Sequence, residues 1–398
     1  MITSRSARLH RAAAFAAAVL AFSAAGVAGP AYAAGPEKQL SGVFEALDGR
    51  RLDLALQRVE ALIAAHPNFR LAHLIRGDLL LARRQPIHTL GNVPKTVPQD
   101  KIDGLRAEAL SRLRALRERP NGDLVPRHVL QLNAEQKHAL VVDSRRSRLY
   151  VFQNDGGRPR LVADYYVTLG KNGVEKTREG DQKTPLGVYH VTANLPRQKL
   201  TDFYGSGAFP INYPNAWDKK LGRNGYGIWL HGTPSDTYSR PPRASDGCIV
   251  LANSDLDTVA RTMQVGLTPV VIADELEWVP AATLEAERKG LADALDAWRA
   301  DWESRDTAKY LSHYAAKFHS GDQDLPAWSA HKRKVNAGKQ WIKVGLNRVS
   351  MFQYPREKFV VVGFDQDYRS SNLSNVMRKR QYWVREGARW KILYEGGA

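Results

Sequence analysis

The sequence predicts a multidomain chain: an α-helical module over residues 34–127, a mostly-β domain over 128–278 and an α+β domain over 283–398, all behind an export segment at 1–33. Three observations predict it. Leu52, Leu54, Ala55, Val59, Leu62 and Ile63 recur at helix spacing. From Lys137 the pattern switches to strand-like runs set between turn residues. Beyond Pro280 helix spacing returns, and a series of strand-like segments follows it, the order of an α+β domain. A length of 398 residues suits two to three domains, and a hydrophobic content of 43% is enough to build their cores.

The export segment rests on Arg5, Arg8 and Arg11, the small apolar run 12–27, and Ala31-Tyr32-Ala33, an A-x-A cleavage signature. The run is alanine-rich and short for a membrane span. The mature chain is therefore expected in the periplasm or cell envelope with no transmembrane span. In the helical module Pro67 separates the first helix from a second at 71–82, because proline cannot continue a helix. A third amphipathic segment covers 105–116. This helix–proline turn–helix resembles one tetratricopeptide-type unit, and the module is expected to pack, to dimerise or to dock cell-wall proteins. In the central domain, strands 139–143 and 148–152 flank the polar turn 144–147, and further strands are expected at 160–169, 188–193, 227–231 and 270–273. In the last domain Leu291, Leu295, Trp298, Trp302 and Leu311 share a helix face that Tyr310 and Tyr314 extend. Strands are expected at 341–349, 358–364, 380–386 and 390–394.

Charge and cysteine usage narrow the function. The net charge is +17, and removal of the three arginines of the export segment leaves +14. The basic residues are dispersed, with dense runs only at Lys332-Arg333-Lys334 and Arg378-Lys379-Arg380. No nucleic-acid-binding motif organises them, so the partner expected of this charge is an anionic envelope surface or an acidic polymer rather than nucleic acid. Cys248 is the only cysteine, which excludes an internal disulfide and a cysteine-rich metal site. A redox role lacks a resolving thiol.

Cys248 has neighbours that give it chemistry. It follows Ser245-Asp246-Gly247, and His231-Gly232 lies upstream at the end of a predicted strand. A thiol attacks as thiolate, and an imidazole nearby promotes that. Gly247 leaves its backbone open to a substrate, so N–H groups there are candidates for an oxyanion hole. A buried structural cysteine ahead of Ile249-Val250-Leu251 is the competing reading of the same residues.

His231-Gly232 and Ser245-Asp246-Gly247-Cys248, with Thr184-Pro185-Leu186-Gly187, Gly170-Lys171-Asn172 and Phe209-Pro210-Ile211-Asn212-Tyr213-Pro214, resemble the YkuD-type L,D-transpeptidase catalytic domain over residues 137–275. The resemblance implies attack of Cys248 on diaminopimelate in a peptidoglycan stem tetrapeptide, release of D-alanine and transfer of the acyl group to an amine. It implies His231 as base and the Gly232 carbonyl as the group that orients the imidazole. Backbone N–H groups of Gly247 and Cys248, with Asp246 nearby, would hold the oxyanion. No cofactor or metal is required. Family members commonly carry His in place of Asp246 and Arg in place of Val250. The missing arginine leaves Arg223, Arg240 and Arg243 as candidates to anchor a stem carboxylate, with Ser245 and Tyr213 as further candidate substrate contacts. Residues 283–398, through Ala297-Trp298, Trp302, Tyr310, Tyr314, Phe364-Asp365-Gln366-Asp367-Tyr368 and Trp390-Lys391-Ile392, resemble a nuclear transport factor 2-like domain, which implies a cone-shaped α+β fold used for substrate positioning or self-association. The three parts together resemble a group of cell-shape peptidoglycan-modifying proteins. Two other functions compete: an L,D-carboxypeptidase that trims tetrapeptides to tripeptides, and a non-catalytic wall-binding scaffold.

Overall fold

The computed structural model describes residues 35–94 and 96–397, so the expected export segment lies outside the described residues. The N-terminal module holds four helices, Pro36–Asp48, Leu52–Ala65, Arg70–Ala82 and Gln99–Arg117. The first begins on a proline, whose fixed φ suits a first helical turn. The first three helices close on Leu40, Val43, Val59, Leu62, Phe69, Leu71 and Ile75, all buried. The fourth differs. It buries Glu108 and Arg112 as well as Ile102 and Ala109, so its inward face is partly ionic. That face lies on the central domain.

The central domain packs two main sheets around one core, and a two-stranded sheet of Leu169–Gly170 and Arg243–Ser245 lies beside them. The larger has strand order Arg158–Tyr166, Arg148–Asp155, His138–Asp143, Pro269–Ala273, Gly187–His190, with the middle pair parallel. The smaller has order Ile249–Val250, Trp229–His231, Gly207–Pro210, Leu195–Pro196. Leu140, Val142, Val270 and Ile272 face Phe209, Leu230 and Ile249 between the sheets. The other face of the larger sheet buries Ala139, Val141, Tyr150 and Val271 together with Phe352 of the C-terminal domain. Burial on both faces explains why 139–142 reads as a continuous apolar run.

The C-terminal domain is a seven-stranded sheet that curls against the helix Ala281–Glu303. Val360, Val362 and Phe364 point into a core with Trp298, Trp302 and Tyr310, whereas Phe359 and Val361 point outward to Trp217 of the central domain. The two sets alternate along one strand, as the pleat requires. Two boundaries depart from the sequence reading. Tyr314 does not extend the helix face; it opens the strand Tyr314–Ser320, because the helix Thr307–Ser312 stops before it. Val129–Gln131, placed with the central domain by sequence, pairs with Met351 and Phe352 as the last strand of the C-terminal sheet. Among the described residues no helix is long and apolar enough to cross a membrane.

Candidate active site

Two short parallel strands set the geometry. Leu230 pairs with Ile249 and His231 with Val250, which places Cys248 beside Trp229. Paired residues of parallel strands point to the same side, and side chains alternate. Leu230 and Ile249 enter the core, so His231 and Cys248 share the opposite face, offset by two residues, or about 7 Å of strand. His231 is buried and Cys248 half-buried. The rings of Phe203 and Tyr204 lie 5.7 and 5.2 Å from the His231 ring.

The imidazole has one defined tautomer when neutral. Its Nδ1 lies 2.7 Å from the Gly232 carbonyl oxygen, which can only accept, so Nδ1 carries the proton and Nε2 keeps a free lone pair. Burial pushes the His231 pKa down to about 4, against the Gly232 hydrogen bond and with help from the Arg240 charge. Burial pushes the Cys248 thiol up to about 11; the Trp229 backbone N–H, Lys176 and Arg240 work against this, and Asp246 works with it. The thiol donates to the Gly227 carbonyl at 3.3 Å. Near neutral pH the pair is therefore a thiol and an uncharged imidazole, which suits proton transfer during attack rather than a standing ion pair.

The turn before Cys248 is built around Gly247. Its φ of +125° is left-handed, and a Cβ there would fall 2.7 Å from the Lys183 carbonyl oxygen. Thr184 locks the same spot: its hydroxyl donates to the Gly247 carbonyl at 3.0 Å and accepts from the Gly170 N–H at 2.9 Å. The threonine of the Thr-Pro-Leu-Gly element is thus buried scaffold that ties three motifs together. Ser245 also belongs to the turn. Its hydroxyl donates to the Cys248 carbonyl at 2.6 Å and accepts from the Gly247 N–H at 3.2 Å. The Ser245 hydroxyl, expected to contact substrate, and the Gly247 N–H, expected to face an oxyanion, are thus both engaged within the turn. Asp246 is exposed and directs its carboxylate to Lys171, 3.0 Å away.

Of the three candidate arginines the structure brings one to the site. Arg240 lies with its guanidinium carbon 4.9 Å from the centre of the Phe203 ring, which is itself 5.7 Å from the centre of the His231 ring. Arg223 is paired with buried Asp218 at 3.1 Å. Arg243 donates to Ser144, to its carbonyl at 2.9 Å and its hydroxyl at 3.1 Å. Tyr213 is buried and donates to the Asn224 carbonyl at 3.0 Å. Sequence reasoning did not find Phe203, Tyr204 or Asn253. Asn253 accepts from the N–H groups of Ser206 and Thr233 and donates to the Thr233 carbonyl, which holds the turn after Gly232. The Leu-Ala-Asn run after Cys248 is the signal that could have pointed to it.

A half-buried thiol and a tautomer-fixed imidazole thus share one sheet face. Residues 137–272 match the family model of the YkuD L,D-transpeptidase catalytic domain, and residues 290–396 match that of the Cds6 C-terminal NTF2-like domain. The chain thus carries a YkuD-type L,D-transpeptidase catalytic domain followed by an NTF2-like domain. Among solved structures it is similar to Bd1075 of Bdellovibrio bacteriovorus, at 29% identity and a TM-score of 0.60 over 69% of this chain and 98% of that one. It is also similar to the helical cell shape determining protein Pgp2 of Campylobacter jejuni, at 25% identity and a TM-score of 0.57 over 67% of this chain and 95% of that one. No curated protein matches the chain.

Proposed function

We propose that the protein is an exported cysteine acyltransferase that acts on peptidoglycan stem peptides as an L,D-transpeptidase. The observation that carries the reading is the pairing of Cys248 and His231 on one sheet face with His231 Nδ1 held on the Gly232 carbonyl. Cys248 Sγ attacks the diaminopimelate carbonyl carbon at its bond to the terminal D-alanine, and the thiol proton passes to His231 Nε2. The oxyanion faces the Cys248 N–H. Collapse breaks the carbon–nitrogen bond, the imidazolium returns its proton to the leaving amine, and a thioester remains on Cys248. An acceptor amine then attacks the thioester, His231 takes the amine proton, and sulfur leaves as the restored thiol. Arg240 is the residue best placed to receive a stem carboxylate. The similarity to a cell-shape determinant supports a role in remodelling the wall for shape.

Incubation with purified tetrapeptide monomers tests this. D-alanine release with a diaminopimelate-linked dimer is the expected result. Tripeptide without dimer would assign the second step to water and the protein to the L,D-carboxypeptidases. No D-alanine release would leave a wall-binding scaffold.

A further inference from the structure

Residues 233–244, between His231-Gly232 and Ser245, form a loop, and the helical module grips it along most of its length. Asn68 Nδ2 donates to the Ser235 carbonyl at 3.1 Å. Tyr238 is buried with its ring 4.2 Å from that of Phe69 and 5.3 Å from that of His66. Ser239 donates its hydroxyl to Glu108 at 2.7 Å. Pro241 lies against the helix Gln99–Arg117 so closely that a Cβ on Gly104 would meet it at 2.8 Å. These contacts come from both sides of Arg240. The Arg240 carbonyl is fixed as well, by Tyr166 and Thr168 at 2.9 Å each. The Tyr166 ring in turn lies 4.0 Å beneath the Arg112 guanidinium, on the same ionic helix face as Glu108. A loop of this length, regular only where the short strand Arg243–Ser245 begins, would sample many conformations if left free. Here the module adds its hold on Ser235, Tyr238, Ser239 and Pro241 to the catalytic domain's own hold on the Arg240 carbonyl, and the loop's central cation is set over Phe203, whose ring neighbours that of His231.

We propose that the helical module completes the active site: Tyr238 and Ser239, held by Phe69 and Glu108, are positioning residues that hold Arg240 over the catalytic pair as the receptor for a substrate carboxylate. The assignment of that carboxylate to a stem peptide rests on the proposed transpeptidase reading; the placement of the loop does not. The ionic face of the fourth helix thereby acquires a purpose. Glu108 serves the loop through Ser239 while Arg112 offsets its charge. The module does its work without touching the thiol or the imidazole.

The test reads the charge beside Cys248 without any peptidoglycan. The full protein is alkylated with iodoacetate and with iodoacetamide, and the ratio of the two rates is measured for wild type, Arg240→Ala, Tyr238→Ala, Tyr238→Phe, Ser239→Ala and the Tyr238→Ala/Arg240→Ala double variant. A positioned guanidinium favours the anionic reagent, so Arg240→Ala lowers the ratio by about fivefold, the size of one partly screened charge near the thiol. Tyr238→Ala lowers it by a comparable factor, Ser239→Ala by less, and the double variant no further than Arg240→Ala, because both act through one group. Tyr238→Phe keeps the ring and the wild-type ratio. A ratio unmoved by Arg240→Ala, or lost in Arg240→Ala but kept in Tyr238→Ala and Ser239→Ala, overturns the proposal. Folding of each variant is checked by thermal melting; should Tyr238→Ala not fold, the ratio in Ser239→Ala decides between the two outcomes. Turnover of tetrapeptide is then measured in the same set. Absence of turnover in wild type would refute the transpeptidase reading, and the reagent ratio would still judge the loop.

Discussion

At the scale of single residues the site depends on where protons rest. Burial holds His231 uncharged down to about pH 4 and holds Cys248 as a thiol up to about pH 11. Thiol alkylation proceeds through the thiolate, so the iodoacetamide rate of Cys248 should still be climbing tenfold per pH unit beyond pH 9. A plateau between pH 7 and 8 would show a standing thiolate–imidazolium pair instead. Thr184 gives a second expectation. Its hydroxyl satisfies two buried backbone groups at once, and Thr184→Val leaves both unpaired at a cost of roughly 1–3 kcal/mol each. Thermal melting should show that loss together with a fall in activity, since the same turn aims Cys248. Much of this was legible in the sequence. Cys248, His231 and Gly247 announce themselves because their roles depend on local backbone and near neighbours. Arg240 was one of three arginines of equal standing, because what separates them is which distant group each one meets: Phe203, Asp218 or Ser144.

Among elements, the seam between the helical module and the central domain is the most charged part of the interior. Arg112 bonds Glu37 and Glu108, and Arg148 bonds Glu37 and Asp164, all of them buried or nearly so. Asp255 sits within reach of this network, and burial, reinforced by Glu37, pushes its pKa up to about 7. A folded-state pKa raised above the unfolded value of about 3.9 means that the native state binds the extra proton between the two. Stability from that proton is full below about pH 4 and is lost as pH rises through 7. Asp255→Asn removes the ionisation, so its melting temperature should exceed that of wild type at pH 8 and by a clearly smaller margin at pH 5. An advantage of equal size at both pH values would show that Asp255 does not titrate in this range. Sequence periodicity found helices at 52–63, 71–82 and 105–116 because their apolar residues repeat. It could not show that the fourth helix turns a charged face inward, because a buried ion pair looks like a solvated one until its partners Glu37 and Ser239 are in place.

The whole molecule is held by elements that cross domain boundaries. Val129–Gln131, at the start of the central domain, closes the C-terminal sheet, and Leu124–Pro126 pairs with Trp278–Pro280 at the other end of the central domain. Trp217 of the central domain inserts between Tyr354, Phe359 and Tyr382 of the C-terminal sheet and donates its Nε1–H to Glu357 at 3.1 Å. Chain entry and exit are thus stitched together, and the protein should unfold in one calorimetric transition. Trp217→Ala, which empties an aromatic slot at about 3–5 kcal/mol, should split the C-terminal domain off as a separate, lower transition; two transitions already present in wild type would contradict this coupling. The three-part order was legible from the switch in period at Lys137 and its return after Pro280. The crossing strands were not, because three residues of Val129–Gln131 carry no periodicity that names their partner sheet.

Acyl transfer through Cys248 stands or falls on one measurement: quenching the protein with acid during turnover of a stem tetrapeptide and mapping the modified peptide by mass. A thioester to the tripeptide-terminated stem is expected on Cys248, with one D-alanine released for each acylation and neither event in Cys248→Ala. Release of D-alanine with Cys248 unmodified, persisting at the wild-type rate in Cys248→Ala, would contradict it.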